Sequence, residues 1–344
     1  MCFDDITKLQ QIDQKNMIEI IRGLPAQIQS TWTYVLEQQN LNFQSISRIF
    51  IAGVPMYSNG IGILRTMVCN PNSKILSIQT CLNIPNQLQG RENLLIIIFD
   101  DNNAEEMQQL IELAESRNLS IILLLHNEEL INKFQNYHAS HWAFTDHSFS
   151  RTTLGFDTFI LYGILFKSGL VPDITDAIKT LINALALTIQ YNDIHVPAAQ
   201  NPAKRQAGQM VGRWVKIVAG GIMLPVARWW SDQINQSAKA LCYAEDIFHL
   251  AEHSLNGIQN PEQIAQQSMV IFLKSGLNGQ KMETLMDQAK IELMCNGLGT
   301  DSYSARGDDH LSQIWTTILF GDFLAYYLAI AYECDPATVM FLSE

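Results

Sequence analysis

The sequence predicts an α/β protein whose parallel sheets are covered by helices on both faces. Five apolar runs follow one another at the spacing of strands that alternate with helices, at residues 48–54, 74–79, 94–100, 119–125 and 141–146. The runs are almost continuously apolar, which is typical of parallel strands buried on both faces. The same rhythm restarts beyond residue 200, so we expect two halves of similar architecture.

The first 40 residues are predicted to be helical. In "ITKLQQIDQKNMIEIIRGL" the apolar residues recur at mostly helical spacing. Pro25 then stands where a second helix, "AQIQSTWTYVLEQQN", would begin, a position that suits proline because it needs no N–H donor. Among the helices between the strands, the clearest is the amphipathic stretch at 104–117.

The second half begins with a helical region at 151–192. After a polar, proline-containing segment at 193–202, strands are predicted at 213–221 and 268–276, each followed by a helix, and a long helix closes the chain. We therefore predict N-terminal helices at 1–40, a first domain at 41–152 and a second domain at 153–344.

Composition excludes several classes of protein. Of 344 residues, 47% are hydrophobic, and the net charge of −12 comes without a basic stripe, which argues against a nucleic-acid partner. No apolar segment is expected to reach the roughly 18–20 residues of a membrane span, and the acidic N-terminus lacks the pattern of a signal peptide. The six scattered cysteines contain no Cys-x-x-Cys pair, which indicates reduced thiols in a cytoplasmic protein.

A family resemblance rests on several stretches in order. The segment "ARWWSDQINQSAKA" (227–240) resembles the Ala-Arg-x-Trp-x-x-Gln-x-Asn-Glu-Asn-x-Lys segment of the bifunctional phosphoglucose/phosphomannose isomerase family. "SRTTLGF", "NPAKRQAGQMVGR", "AEHSLNGI" and "GDFLAYYLAIAYECDPATV" also fall in the family's order. The resemblance covers nearly the whole chain. It implies two sugar isomerase (SIS) domains, each a flavodoxin-like three-layer α/β/α structure.

The resemblance also implies an activity. Members of this family convert glucose 6-phosphate or mannose 6-phosphate to fructose 6-phosphate by moving a proton between C1 and C2, without a metal, nucleotide or other cofactor. The reaction needs a phosphate cradle, a carboxylate base and a histidine that opens the sugar ring. The family further implies a homodimer, with the active site at the junction of subunits and domains, and a sugar phosphate as ligand.

The first phosphate loop departs from the family pattern. The family's Gly-Met-Gly-Gly-Ser reads "GVPMY" here (53–57), so only the first glycine is kept. Pro55 removes an N–H donor and Met56 adds bulk, although the polar residues that follow offer a partial substitute. The substrate contacts predicted from this loop are Gly53, Tyr57 and Ser58.

The second phosphate loop is acidic. The family's phosphate-binding Ser, Ser and Thr fall on Ile98, Asp100 and Asn103, whereas Asn102 and Glu105 match the family. Each carboxylate of Asp100 and Asp101 would repel a nearby phosphate charge by about 1 kcal/mol or more. An uncharged or cationic carbohydrate derivative is therefore a candidate ligand, with Asp100, Asn102 and Asn103 as predicted contacts. Alternatively, Asp101 or Asn102 simply caps the helix that follows.

The groups that transfer protons are also replaced. The family's glutamate base falls on Gln236, whose amide cannot accept a proton near neutral pH. The ring-opening histidine falls on Leu255, whereas Arg151 matches the family and is the retained candidate for steadying an anionic intermediate. The catalytic positions are thus Arg151, Gln236 and Leu255, and the further predicted substrate contacts are Arg228, Asn235, Lys239 and Asn256.

Three interpretations follow. The favoured one is a SIS-fold protein that binds a carbohydrate derivative and whose catalysis is impaired. The alternatives are an active aldose–ketose isomerase with a relocated site, and a purely structural or regulatory partner. A further motif, His249-Leu250-Ala251-Glu252-His253, has the His-x-x-Glu-His form of some zinc proteases. Because it overlaps a family-like segment, no metal is predicted there.

Overall fold

The computed structural model describes most of the chain. It covers residues 3–41, 43, 46–52, 58–68, 77–81, 84–86, 88–98, 104–125, 128–143 and 152–339, with the backbone alone at 58, 59, 77, 80, 81, 104, 128 and 264. The strands within these ranges are β1 (Arg48–Ala52), β2 (Ser77–Cys81), β3 (Asn93–Ile98), β4 (Ser120–Leu125), β5 (Ser140–Ala143), β6 (Trp214–Ala219), β7 (Cys242–Asp246), β8 (Ser268–Lys274) and β9 (Gly299–Ser304).

The helices precede, separate and follow these strands. They are α1 (Ile6–Ile12), α2 (Met17–Arg22), α3 (Leu24–Glu37), α4 (Ser58–Val68), α5 (Ala104–Ser116), α6 (Glu128–Phe134), α7 (Leu154–Lys167), α8 (Thr175–Asn192), α9 (Pro202–Met210), α10 (Leu224–Ala238), α11 (Ile247–Glu252), α12 (Glu262–Gln266), α13 (Gln280–Cys295) and α14 (His310–Ala331). Within the described residues, 3-10 turns lie at Gly221–Met223 and Ser254–Gly257.

The chain forms two compact units, each with one sheet. The first-sheet unit is Ala26–Thr175, and the second-sheet unit combines Met1–Pro25 with Asp176–Glu344. These bounds differ from the predicted domains at 41–152 and 153–344. Helices α3 and α7 belong to the first-sheet unit, whereas α1 and α2 belong to the second-sheet unit.

The first sheet is parallel throughout, with strand order β2-β1-β3-β4-β5. All six residues of β3 are buried, as are five of the six in β4, which explains why these strands are apolar runs in the sequence. Met107, Ile111 and Phe134, from α5 and α6, pack with these strands in one core cluster. The predicted alternation of apolar strands and helices is confirmed in this unit.

The second sheet is also parallel, with strand order β7-β6-β8-β9. Its central strands β6 and β8 lie where the sequence predicts them. The two edge strands, β7 and β9, are not predicted by the sequence. Their residues are mostly half-exposed, and both segments are polar, so no continuous apolar run marks them.

The longest of the described helices, α14, forms the centre of the second-sheet unit. Trp229 Nε1 donates to Asp322 Oδ1 at 2.7 Å, and Trp230 Nε1 donates to the Thr317 carbonyl at 2.8 Å, so α10 is fixed on α14. A Cβ atom on Gly321 would overlap the Trp230 indole. Two family-like segments of the sequence therefore meet at this contact.

Helix α14 corrects one expectation from composition. Its 22 residues have a mean hydropathy of 1.5 in the most apolar window, so it is long and apolar enough to cross a bilayer. The prediction that no segment reaches that length is wrong for this helix. However, 89% of the same window is buried inside the protein, which is typical of a core helix.

An ion pair helps to hold helix α2 within the second-sheet unit. Arg22, the last residue of α2, donates to Asp193 through Nε at 2.7 Å and through Nη2 at 2.8 Å. Both side chains are largely buried, and a two-point guanidinium–carboxylate contact fixes orientation as well as distance. The contact ties α2 to the end of α8.

Candidate functional site

The predicted phosphate loops follow the strands at which an open α/β sheet binds ligands. In the order β2-β1-β3-β4-β5 the chain reverses direction across the sheet between β1 and β3. Ligands bind outside the carboxyl ends of the strands at such a reversal. Residues 53–57 directly follow β1 and residues 99–103 directly follow β3. The two loops therefore follow the strands on either side of the reversal, and the site that they would form stays a prediction.

Most of the site residues predicted in this unit lie outside the described residues. They are Gly53, Tyr57, Asp100, Asn102, Asn103 and Arg151, and Ser58 is described by its backbone alone, as the first residue of α4. Their contacts with a ligand stay predictions. The described residues next to them are the first turn of α4 and the first turn of α7.

The start of α7 holds a buried carboxyl group. Asp157 is only 7% exposed, and one of its oxygens accepts from the Thr153 hydroxyl at 3.2 Å. Its other oxygen, and the hydroxyl of the neighbouring Thr158, have no hydrogen-bond partner among the described residues. Burial raises the pKa of Asp157 well above its usual 3.8, and the Thr153 hydrogen bond opposes only part of that shift.

Asp157 and Thr158 pack against α4. A Cβ atom on Gly60 would lie 3.4 Å from Thr158 Oγ1 and 3.8 Å from Asp157 Cβ, which is close packing. Sequence reasoning missed this carboxyl group. The available signal was the presence of one acidic residue in the largely apolar helix "LGFDTFILYGILFK".

The second sheet has its own reversal point, between β6 and β8. There, Asn278 closes the turn after β6. Its Nδ2 donates to the Gly220 carbonyl at 3.1 Å, and its Oδ1 accepts from Ile222 N at 3.3 Å. Gly221 has φ +55°, and a Cβ atom there would lie 2.5 Å from Asn278 Oδ1, so glycine is required.

A buried polar chain joins the loops after β8 and β9. Ser275 Oγ donates to Gln313 Oε1 at 2.6 Å, and Gln313 Nε2 donates to the Gly307 carbonyl at 2.8 Å. Ser275 and Gln313 are both buried. Since each of these polar groups has a hydrogen-bond partner within the protein, the loops after β8 and β9 are held together at this edge of the second sheet.

Two predicted site residues lie near the end of α10. Asn235 donates through Nδ2 to the Cys242 carbonyl at 2.7 Å and accepts from Cys242 N at 3.1 Å. Because Cys242 is the first residue of β7, Asn235 lies near the amino end of that strand. Gln236, which the resemblance places at the family's base, has a buried Oε1 with no hydrogen-bond partner in the described part of the chain.

The two predicted cations of this segment differ. Arg228 is exposed and makes no hydrogen bond or ion pair with the described residues, so its guanidinium is available to a ligand. Lys239 follows the end of α10 with φ +51°, and its ammonium donates to the Ser237 carbonyl at 3.0 Å and to the Asp335 carbonyl. Lys239 thus binds the backbone of its own unit.

Leu255 and Asn256 lie in the 3-10 turn Ser254–Gly257. Leu255 is half-buried and packs against the core between α11 and α13, whereas Asn256 is exposed. Neither residue carries a titratable group.

The His-x-x-Glu-His motif does not form a metal site in the described residues, where no group of three or more His, Cys, Asp or Glu side chains is placed to hold a metal. Helix α11 ends at Glu252, and His253 has φ −124° and ψ −62°, outside helical geometry. His249 Nδ1 lies 2.6 Å from Glu245 Oε1 instead.

Comparison with known proteins gives a family match for the second half of the chain. Residues 199–344 match the family model described as the bacterial phospho-glucose isomerase C-terminal SIS domain. Over 328 residues, the chain is 23% identical to the bifunctional phosphoglucose/phosphomannose isomerase of Caldicellulosiruptor bescii, covering 94% of this chain and 96% of the relative.

Solved structures share the fold. The C-terminal domain of glucosamine-fructose-6-phosphate aminotransferase from Francisella tularensis superposes with a TM-score of 0.67 at 10% identity, covering 93% of this chain and 96% of the other. A glucose-6-phosphate isomerase like protein from Thermus thermophilus gives a TM-score of 0.58 at 15% identity, covering 97% and 96%. With the match of residues 199–344 and the full-length relative, these likenesses confirm the predicted fold and resemblance. The chain as a whole thus resembles the bifunctional phosphoglucose/phosphomannose isomerases, and its residues 199–344 match the SIS-domain family model.

Proposed function

We propose that the protein binds a sugar phosphate or another carbohydrate derivative and that its isomerase chemistry is impaired. One observation carries the proposal. Gln236 stands at the position of the family's glutamate base, and its buried Oε1 has no hydrogen-bond partner among the described residues. An amide at this position preserves the shape of a glutamate side chain but cannot take the proton that moves between C1 and C2.

Leu255 supports the same proposal. It stands where the family has its ring-opening histidine, and it packs against an apolar core. The nearest histidine in sequence, His253, is exposed and its Nε2 lies 3.9 Å from Glu252 Oε2. Ring opening of a bound sugar would therefore lack its proton donor and acceptor at the expected position.

The ligand class follows from the family and the retained residues. The relative from Caldicellulosiruptor bescii is a phosphoglucose/phosphomannose isomerase, so we propose a six-carbon sugar phosphate or a related carbohydrate for this chain. Arg228 supplies an exposed guanidinium without a protein partner in the described ranges. Asp100 and Asp101 favour a ligand with less negative charge than a phosphate dianion at that loop. We also propose a cytoplasmic homodimer.

Asp157 favours a second candidate function, that of an active isomerase with a relocated site. Its carboxyl group is buried at the start of α7, and its pKa is raised well above 3.8 by that burial. A general base works best when its pKa lies near the operating pH, so a raised carboxyl pKa suits proton transfer. This candidate requires that substrate reaches Asp157.

A coupled assay with fructose 6-phosphate separates the two functions. We expect no turnover above background, together with a rise in melting temperature when fructose 6-phosphate is added. Saturation at 100 times the dissociation constant stabilises the folded state by about 2.7 kcal/mol. Turnover at an ordinary rate of about 1–10³ s⁻¹, abolished in Asp157→Asn, would establish the relocated site.

A third outcome is that fructose 6-phosphate gives neither turnover nor a rise in melting temperature. If neither sugar phosphates nor neutral hexoses raise the melting temperature, the binding proposal fails and the structural or regulatory role remains. Sedimentation equilibrium tests the homodimer separately, because the calculated mass of one chain is 38.8 kDa.

A further inference from the structure

A cavity of about 340 Å³ lies within the second-sheet unit, on the face of the sheet that α11 and α13 cover. Its walls are mainly apolar. They include Trp214, Val270, Leu250, Ile258, Leu293 and Leu298. Among the described residues predicted for the sugar site, none lines this cavity. Its volume is at the lower end of the range of about 300–1,000 Å³ that small-molecule sites occupy.

One wall of the cavity is charged. Lys216 lines it, and its Nζ lies 2.7 Å from Glu245 Oε2. Glu245 Oε1 accepts from Ser254 Oγ and pairs with His249 Nδ1 at 2.6 Å. Burial alone would raise the pKa of Glu245, but the hydrogen bonds from Lys216, Ser254 and His249 hold it below its ordinary value.

The ammonium of Lys216 retains hydrogen-bonding capacity. A lysine ammonium has three N–H donors, and within the described ranges the bond to Glu245 uses one of them. The Lys216 side chain is mostly withdrawn from solvent. The remaining donors are therefore available to an acceptor atom held in the cavity.

The neighbouring carboxylate selects against charged ligands. A ligand anion that approached Lys216 would also approach Glu245, so attraction and repulsion would largely cancel. It would still lose its hydration in an apolar cavity, at a cost that an uncharged ligand avoids. A ligand cation would be repelled by Lys216 and would gain little attraction from Glu245, because Lys216 already neutralises that carboxylate.

We propose that this cavity binds an uncharged, largely apolar small molecule of about one ring, which places a single carbonyl or hydroxyl acceptor at Lys216 Nζ. The apolar body of the ligand contacts Leu250, Val270 and Leu293. This site is independent of the proposed carbohydrate function, since it involves other residues and another class of ligand.

Trp214 provides a reporter for the test. It lines the cavity and is 36% exposed, whereas the other five tryptophans of the chain are buried. Cyclohexanone is the probe, since it is a neutral ring with one acceptor. Its binding is followed by the chemical shift of the Trp214 indole N–H resonance, which is assigned with the variant Trp214→Phe. We expect a saturable shift with cyclohexanone and at least about tenfold weaker binding of cyclohexanecarboxylate.

Two variants complete the experiment. Ala265→Leu places a larger side chain in the cavity wall and is expected to weaken cyclohexanone binding by about tenfold or more. Ala186→Leu, on the exposed face of α8, is the matched control and should bind as the wild type does. Circular dichroism verifies that both variants are folded.

Lys216→Met combined with Glu245→Gln replaces the charged pair without leaving either charge alone. It should weaken cyclohexanone binding while the cavity stays apolar. The proposal is overturned if cyclohexanone gives no saturable shift in the wild type, or if folded Ala265→Leu binds it equally well. Equal affinity for cyclohexanecarboxylate would overturn the preference for an uncharged ligand.

Discussion

Asn235 pairs with both backbone groups of Cys242, because its Nδ2 donates to the Cys242 carbonyl at 2.7 Å and its Oδ1 accepts from Cys242 N at 3.1 Å. The side chain thereby completes the hydrogen bonding of the residue that starts the edge strand β7. Ser231 Oγ donates to the same carbonyl at 2.9 Å. A residue that the family resemblance assigns to the ligand thus also secures a strand of the second sheet.

Asn235→Ala is expected to lower the free energy of unfolding by about 1–3 kcal/mol, because the Cys242 N–H loses its acceptor. The amide of Cys242 should also exchange its hydrogen faster. Ser231→Ala is the control and should cost about 0.5–1.5 kcal/mol, since the Cys242 carbonyl keeps its Asn235 donor. Urea unfolding and hydrogen exchange measure both effects. Unchanged stability with loss of sugar-phosphate binding would instead assign Asn235 to the ligand.

Asp157→Asn is expected to stabilise the protein at neutral pH. The pKa of Asp157 is raised in the folded state, so the unfolded chain ionises this group first, from about pH 3.8 upwards. The stability that the protonated form contributes is therefore fully present below that pH and is lost as pH rises towards the folded pKa. Melting temperatures from pH 3 to pH 8 should converge for wild type and variant at the acid end and separate at neutral pH.

Glu106→Gln is the matched control for that experiment, since Glu106 is an exposed carboxylate on α5 of the same unit. It makes the same change in net charge, and its melting temperature should differ little from that of the wild type at each pH. If Asp157→Asn destabilises the protein at pH 7, the carboxyl group is ionised and paired in the folded state, contrary to its burial.

Gln236→Glu combined with Leu255→His restores the family's two proton-transfer groups. If their loss impairs the enzyme, the double variant should convert fructose 6-phosphate faster than the wild type, since general acid–base catalysis contributes about 10²–10⁴-fold. The coupled assay measures the gain. Gln236→Ala with Leu255→Ala is the control and should show none. Equal rates in the wild type and the restored variant would contradict the proposed impairment.

Gly321→Ala tests the contact between α10 and α14. A methyl group there would overlap the Trp230 indole, so the helices must separate, at a cost of about 1–3 kcal/mol or more. Gly276→Ala is the control, because a Cβ atom at that position meets no atom within 4 Å. Thermal unfolding should show a clear drop for the first variant and little change for the second. Equal melting temperatures would contradict the close helix contact.

Lys204 is completely buried, although it is charged. Its ammonium donates to the carbonyls of Ile194 and Val196, each at 2.8 Å, and to Asp4 Oδ1 at 3.1 Å. Lys204→Met should cost about 2–5 kcal/mol, because two carbonyls lose their donor. Asp4→Asn should cost less than about 1 kcal/mol, since Asp4 is largely exposed. Similar losses in both variants would show that the ion pair dominates.

The sequence predicts the central strands well because burial on both faces demands continuous apolar runs. β1, β3, β4, β6 and β8 all begin within one residue of their predicted starts. The edge strands β7 and β9 carry no such run, since they are half-exposed, and the sequence does not predict them. Pairing with β6 and β8, rather than composition, defines these two strands.

For the candidate site, the sequence indicated the candidate residues, and the structure showed what the side chains of the described ones contact. The family pattern alone indicated Gln236, Leu255 and Arg228. Whether each side chain is buried, paired or exposed depends on residues distant in the chain, such as the β7 strand beside Asn235. Asp157 was missed because its environment comes from the packing of α7 against α4, which sequence spacing does not encode.

By itself, the sequence determined the α/β class, the alternation of parallel strands with helices and the family resemblance, because these follow from local hydrophobic periodicity and ordered motifs. Only the tertiary structure decided that α1 and α2 belong with the second sheet, that α14 is a core helix, and that Asn235 secures β7. The physical reason is that burial and hydrogen-bond satisfaction are set by contacts between distant segments, not by the residues of one segment alone.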